Sequence, residues 1–306
     1  MAPLAPYFDL QVNGFAGVDF QQDELSAAML ERAVEGLLTH GTGRILLTLI
    51  TDTVDRLCKR LERIERLLGA SESARQVIVG YHLEGPWLFP EPGFHGAHDP
   101  SLMKLPALAD LRRLQEASGE SLRLITLAPE LPGSAELIAE ASRLGVRTSI
   151  GHSNASEREI DEAISAGATL CTHLGNAVPS LLHRHDNIIQ RLLARDELTA
   201  VFIPDGIHLP PYVLRNFVRA KPQGKVLFTT DCMAAAGAGP GRYTLGKTSL
   251  EVGADGVVRE PGKENFAGSS LTMDRAVEHV QNYLGWSRGD AVHACSIGVA
   301  EALGLA

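Results

Sequence analysis

The sequence predicts a single (β/α)8 TIM barrel spanning residues 1–306, and three observations predict it. Short β-type runs alternate with amphipathic helical stretches, eight such pairs follow one another without a linker, and polar residues gather where the strands end. Residues 7–14 read as strand one and 26–40 as helix one, followed by strand two at 44–51 and helix two at 53–69. Helix two places Leu57, Leu61, Ile64 and Leu68 at helical spacing, a core stripe opposite a face that mixes both charges. Strand three, 76–84, begins QVIVGY, a β-branched run suited to burial on both faces, and Gly85 and Pro86 stop it just after Glu84. Beyond a long loop come helix three at 106–118, strand four at 122–129 and helix four at 134–144, with Gly145 placed to cap it. Strand five at 147–152 leads to helix five at 156–166, which Gly167 ends, and then to strand six at 168–174. Helix six at 187–195, strand seven at 199–208, helix seven at 210–220 and strand eight at 225–231 continue the rhythm. Residues 237–268 interrupt it, being rich in Gly with short β-type pieces at 243–245 and 249–252. They read as a hairpin inserted after strand eight. Helix eight at 272–284 and a C-terminal helix at 290–303 complete the chain.

Composition narrows the function classes. A hydrophobic fraction of 44% and a charged fraction of 21% are those of a globular protein. The longest apolar stretches, such as 45–50, are far too short to span a bilayer, and residues 1–6 lack a basic-then-apolar leader pattern, so the expected location is cytoplasmic, with no membrane partner. Cys58, Cys171, Cys232 and Cys295 are scattered without paired spacing and read as reduced thiols. A net charge of −9 opposes nucleic-acid binding through a general field, while leaving room for a small anion held locally.

Active sites of such barrels lie at the strand C-termini. Strand one ends in Gln11, Asn13 and Gly14, strand three in Glu84, strand five in His152 and strand six in His173. Strand seven ends in Asp205 and His208, and strand eight in Asp231. A carboxylate leaving a buried strand needs a partner, which a metal ion, a buried cation or a neighbouring arginine could each supply. Any one of these histidines alone reads more readily as a satisfied structural residue. Two histidines and a carboxylate on separate strands form a three-ligand zinc set with a fourth position open for water. Asp231 is then free to shuttle protons.

The motifs HLEGP at 82–86, GHSNA at 151–155, GATLCTHLGNAVP at 167–179, DGIH at 205–208, TTD at 229–231 and AGSSLTMDRAV at 267–277 run in order along the chain. Together they resemble the N-acetylglucosamine-6-phosphate deacetylases of the amidohydrolase superfamily, a metal-dependent hydrolase type of barrel. The resemblance implies that Glu84, His152 and His173 hold one divalent metal ion, most often Zn(2+). It implies that Asp231 takes a proton from the attacking water and passes it to the leaving amine. His98, in Gly-Ala-His with Ala97 before it, matches the residue that polarises the acetyl carbonyl. Asn176 and Ala177 match a substrate-contacting segment, Arg184 a phosphate-binding arginine, and His208 a substrate-contacting histidine. Phe266, Ala267 and Gly268 match a loop that closes over the sugar. No motif assigns a role to His82, His95, His183 or His185.

The chain also departs from the family pattern. Where many amidohydrolases carry His-x-His on strand one, Gln11-Val12-Asn13 stands here, and neutral amides are weak zinc ligands, so one tightly bound metal is expected rather than two. The small β-sandwich usual in the family has no counterpart in these residues, and a homodimer is one way to cover the barrel surface it would occupy. Gly175 and Val178 replace bulkier residues near the sugar, and the loop at 91–98 is longer than usual. Hydrolysis of the N-acetyl amide of N-acetylglucosamine 6-phosphate is the leading expectation. The alternatives are an amidohydrolase acting on another N-acyl sugar or cyclic amide, and a sugar-phosphate-binding protein without turnover.

Overall fold

A computed structural model describes residues 6–262 and 266–306. Eight parallel strands follow one another around the barrel: β1 (Tyr7–Val12), β2 (Thr42–Ile50), β3 (Ile78–Glu84), β4 (Leu122–Leu127), β5 (Arg147–Ile150), β6 (Ala168–Cys171), β7 (Thr199–Phe202) and β8 (Val226–Phe228). Between and after them run α1 (Ala27–Thr39), α2 (Val54–Ala70), α3 (Glu72–Val77), α4 (Leu108–Ala117), α5 (Ser134–Arg143), α6 (Glu157–Ala166), α7 (Ile188–Leu193), α8 (Pro211–Ala220), α9 (Met273–Leu284), α10 (Arg288–Ala294) and α11 (Ile297–Leu303). This is the (β/α)8 barrel that the alternating pattern predicts. Among the described residues, no helix is long and apolar enough to cross a membrane.

Local chemistry sets the helix ends. The Ser26 side chain accepts from the Met29 N–H to start α1, and Thr53 does the same for Arg56 at α2. Ser156 and Glu159 form a reciprocal capping box at α6, and Gly167 ends that helix at φ 119°, a left-handed turn that glycine adopts without strain. Leu57, Leu61, Ile64 and Leu68 of α2 are all buried, as their spacing predicts.

Four differences from the predicted elements have physical causes. Gln76 and Val77 close the short helix α3 rather than open β3, because Ser71 caps a turn there by accepting from the Ala74 N–H. Strands β5, β6 and β8 end two or more residues early, since His152 (φ 52°), His173 (φ 28°) and Asp231 (φ 49°) adopt left-handed backbone that no ladder accommodates. The insertion is not a lone hairpin but a three-stranded antiparallel sheet of β9 (Gly241–Leu245), β10 (Thr248–Val252) and β11 (Val258–Arg259), and its residues 263–265 lie outside the described ones. The C-terminal helix is two helices, interrupted at Cys295 and Ser296.

The barrel interior is layered. Leu10, Leu46, Leu124, Leu170, Val201 and Leu227 form an apolar floor closed from below by Val299, Ala300 and Leu303 at the chain's end. Because strand side chains alternate, the residue two positions on faces the same way. Thr48, Thr126 and Thr172 therefore form the next layer up, together with His82. Glu84 stands one layer higher, at the mouth.

Between β1 and β8 the ladder shrinks to a single bridge, Val12 to Cys232, in which the Asn13 N–H donates to the Cys232 carbonyl at 2.8 Å. The buried Asp9 carboxylate closes the rest of this seam, accepting from the Thr229 hydroxyl at 2.5 Å and from the Thr230 hydroxyl. Burial pushes Asp9 up to about 6, an effect the two threonine hydrogen bonds only partly offset. An unfolded aspartate titrates near roughly 3.9, so between about pH 4 and 6 the folded chain keeps a proton that the unfolded chain has lost. This contribution to stability therefore grows as pH falls through 6 and levels off near 4. The Asp9→Asn variant lacks it, so wild-type stability should gain on the variant as melts move from pH 7 to pH 4.5. A difference independent of pH would reject the assignment.

Candidate hydrolytic metal centre

A cavity of about 630 Å³ opens at the C-terminal end of the barrel. Glu84, Ala97, His98, His152, His173, Asn176, Ala177, His208, Asp231, Phe266 and Gly268 all line it, so residues from five barrel strands and their following loops meet in one place. Two residues named from sequence do not line it. Arg184 is exposed on the loop after His173, and Ala267 is buried behind the cavity wall among Met233, Leu250 and Val258.

Glu84 is the centre. Its Oε1 lies 2.9 Å from His173 Nε2 and 3.2 Å from His152 Nε2, and its Oε2 lies 3.4 Å from His98 Nε2. No arginine pairs with it, which removes the salt-bridge reading of Glu84 among the described residues. Donor atoms of Glu84, His98 and His152 all lie within 4.8 Å of one another, a group able to hold a metal ion, and His173 sits on the same carboxylate oxygen.

Hydrogen bonds farther out decide what each ring can offer. His152 Nδ1 lies 2.9 Å from the Phe94 carbonyl, so Nδ1 carries the hydrogen and Nε2 of the neutral ring aims a lone pair at Glu84 Oε1. Two lone pairs 3.2 Å apart repel unless a cation or a proton lies between them. A divalent metal satisfies both, so the donor set fits one. His98 differs: Thr51 N–H points at its Nδ1 from 3.4 Å, and the Thr51 hydroxyl lies 2.8 Å from the same atom. That Nδ1 is an acceptor, which leaves Nε2–H as a donor facing the cavity. His98 is therefore built to donate rather than to ligate. His173 Nδ1 is buried without a partner.

Electrostatics follow from this crowding. Burial alone would raise Glu84, but hydrogen bonding to the three imidazoles outweighs it and holds the carboxyl well below its usual range. Burial and the neighbouring His98 push His152 down to about 4, keeping it neutral as a ligand must be. Burial and the charge of Glu84 push Asp231 up to about 7, against the opposing pull of His173 and His208. A bound cation would draw Asp231 back down and favour its basic form.

Sequence reasoning left several contributors without a role. Asn13 donates from Nδ2 to Asp231 Oδ1 at 2.8 Å, so it fixes the carboxylate at the end of β8 across the barrel seam. Its position at the end of β1 was a signal, but only of a missing ligand. Thr51, which orients His98, had no motif to mark it. The Phe94 carbonyl acts through main chain and leaves no trace in residue identity. Asp205 accepts from the Ile207 and His208 N–H groups, each at 2.8 Å, and meets His208 Nδ1 at 2.6 Å, which turns Nε2 of that ring toward the cavity.

A parallel (β/α)8 barrel whose mouth carries a Glu/His/His cluster beside an aspartate after β8 defines an amidohydrolase-type hydrolase barrel. Comparison with known proteins narrows this class. The chain is 38% identical to the N-acetylglucosamine-6-phosphate deacetylase of Bos taurus over 313 residues, covering 99% of this chain and 75% of that protein. It is 31% identical to an N-acetylgalactosamine-6-phosphate deacetylase of Escherichia coli O157:H7, covering 98% and 77% respectively. Its fold superposes with a TM-score of 0.89 on an N-acetyl-D-glucosamine-6-phosphate deacetylase variant from Mycobacterium smegmatis in complex with N-acetyl-D-glucosamine-6-phosphate, at 31% identity over 99% of this chain and 78% of that one. No protein-family model matches the chain. The chain belongs to the N-acetylglucosamine-6-phosphate deacetylase family.

If Glu84 is the cation's anchor, a divalent ion added to metal-stripped protein should raise its melting temperature, because any ligand of the folded state stabilises it. Glu84→Gln should cancel the rise. An equal rise in that variant would show that the ion binds elsewhere.

Proposed function

We propose that the chain hydrolyses the N-acetyl amide of an amino-sugar phosphate, N-acetylglucosamine 6-phosphate, to glucosamine 6-phosphate and acetate. The convergence of Glu84, His98, His152, His173 and Asp231 on one cavity, in a member of this family, carries the reading. We assign one metal ion, zinc, to Glu84, His152 and His173. Gln11 and Asn13 support a single ion, since amides compete poorly with imidazole and Asn13 is already engaged with Asp231. When bound, zinc supplies a Lewis acid and lowers the pKa of a water toward about 7.

The chain's own residues supply the rest. Asp231, held by Asn13, takes a proton from the attacking water and hands it to the departing amine nitrogen. His98 donates its Nε2–H to the carbonyl oxygen as negative charge develops there. Asn176, Ala177 and His208, with Ala97, Phe266 and Gly268 around them, hold the sugar, and Ala267 backs that wall from behind. Arg184 provides a forked donor for the phosphate. The four free cysteines are in keeping with a reducing, cytoplasmic setting, and the net charge of −9 with a small-molecule partner rather than nucleic acid. The galacto epimer is a second reading, supported by the Escherichia coli O157:H7 relative and by the small Gly175 at the cavity wall.

Metal content and acetate release measured on the same sample, with phosphorylated and unphosphorylated amino sugars of both epimers, test the proposal. Asp231→Asn should lose a factor of roughly 10² to 10⁴ in turnover while retaining its metal. Undiminished turnover would remove Asp231 from the mechanism. Arg184→Ala should raise KM for the phosphorylated sugar and leave kcat nearly constant. An unchanged preference over the unphosphorylated sugar would remove Arg184 from phosphate binding.

A further inference from the structure

The layer beneath the metal centre is polar where barrel interiors are dominated by branched apolar side chains. His82 on β3 is fully buried, with Nε2 2.8 Å from the Thr126 hydroxyl of β4. Thr126 lies 2.7 Å from the Thr172 hydroxyl, just past β6, and Thr172 reaches Ser149 of β5 at 2.6 Å. At its other end His82 Nδ1 lies 3.4 Å from the Thr48 hydroxyl, and Thr172 donates its hydroxyl hydrogen to Ser149.

This chain runs under every strand end that bears a proposed ligand. Glu84 is two residues past His82 on the same face of β3, and His173 directly follows Thr172. Gly151, which precedes His152, packs so tightly here that a Cβ would come within 2.8 Å of both Thr126 and Thr172. Buried hydroxyls and an imidazole are costly in a core unless satisfied, and the floor one layer below does without them. We propose that the His82–Thr126–Thr172–Ser149 chain sets the spacing of the three ligand-bearing strand ends, with Thr126 as its central positioning residue. The inference rests on the metal-ligand reading above, because what is positioned is the ligand set.

The test is zinc affinity, measured by chelator competition on metal-stripped protein, alongside melting temperature. Thr126→Val keeps the shape but removes the hydroxyl, and should weaken zinc binding roughly tenfold to a hundredfold, the range for loss of a group that orients metal ligands. Thr126→Ser should restore it. Thr148→Val is the control, since Thr148 is equally buried on β5 but its hydroxyl has no partner, and its zinc affinity should match wild type. Should Thr126→Val fail to fold, Ser149→Ala at the end of the chain carries the test, with a loss in the same direction. Wild-type affinity in Thr126→Val, or an equal loss in Thr148→Val, would overturn the inference. A wild-type protein that binds no divalent ion would instead overturn the metal-ligand reading beneath it.

Discussion

The structure turns on one buried carboxylate facing imidazoles that cannot all neutralise it. Glu84 sits at 3% exposure, and one of the two rings on its Oε1, His152, has given its only hydrogen to the Phe94 carbonyl. A neutral ring so held presents like charge to like charge across 3.2 Å. A cation between the two groups would convert the repulsion into coordination. The loop carrying Phe94 and His98 is therefore part of the metal centre, although it brings only one side chain to Glu84.

The same demand explains the backbone. His152, His173 and Asp231 leave their strands in left-handed conformations, each costing on the order of 1–3 kcal/mol for a residue with a Cβ. All three side chains face the cavity at the barrel mouth. Strain of this kind persists only where neighbours over-determine it, and here they do: Asn13 holds Asp231, Phe94 holds His152 and Glu84 holds His173.

What could be read from the chain alone divides along a physical line. The barrel was legible because hydrophobic periodicity and capping residues act locally, as the stripe on α2 and the Ser156 and Gly167 ends of α6 illustrate. Strand ends were less legible, because a left-handed histidine is decided by the ligand set rather than by propensity. Side chains that converge through motifs were readable, whereas Thr51 and the Phe94 carbonyl, which set ring tautomers, depend on contacts between distant segments. His82 showed the limit most clearly. Its neighbour Glu84 marked the segment, yet nothing in the sequence said that the imidazole faces inward to Thr126.

Chemistry and recognition are anchored differently, and this bears on how substrate choice can vary while the reaction stays the same. The groups assigned to metal and proton transfer sit within a few residues of barrel strands and are tied to the layer below or across the seam. The outer wall comes from added segments. Asp19 accepts from the Thr244 hydroxyl at 3.0 Å and the Gly246 N–H at 2.9 Å, docking the turn between β9 and β10. Gln21 bridges the Thr48 carbonyl and the Ile50 N–H, which binds that same region to the end of β2. Leu245 and Ile50 thereby become cavity wall. A change in the inserted sheet or at residues 175–187 reshapes the space around the sugar without touching Glu84.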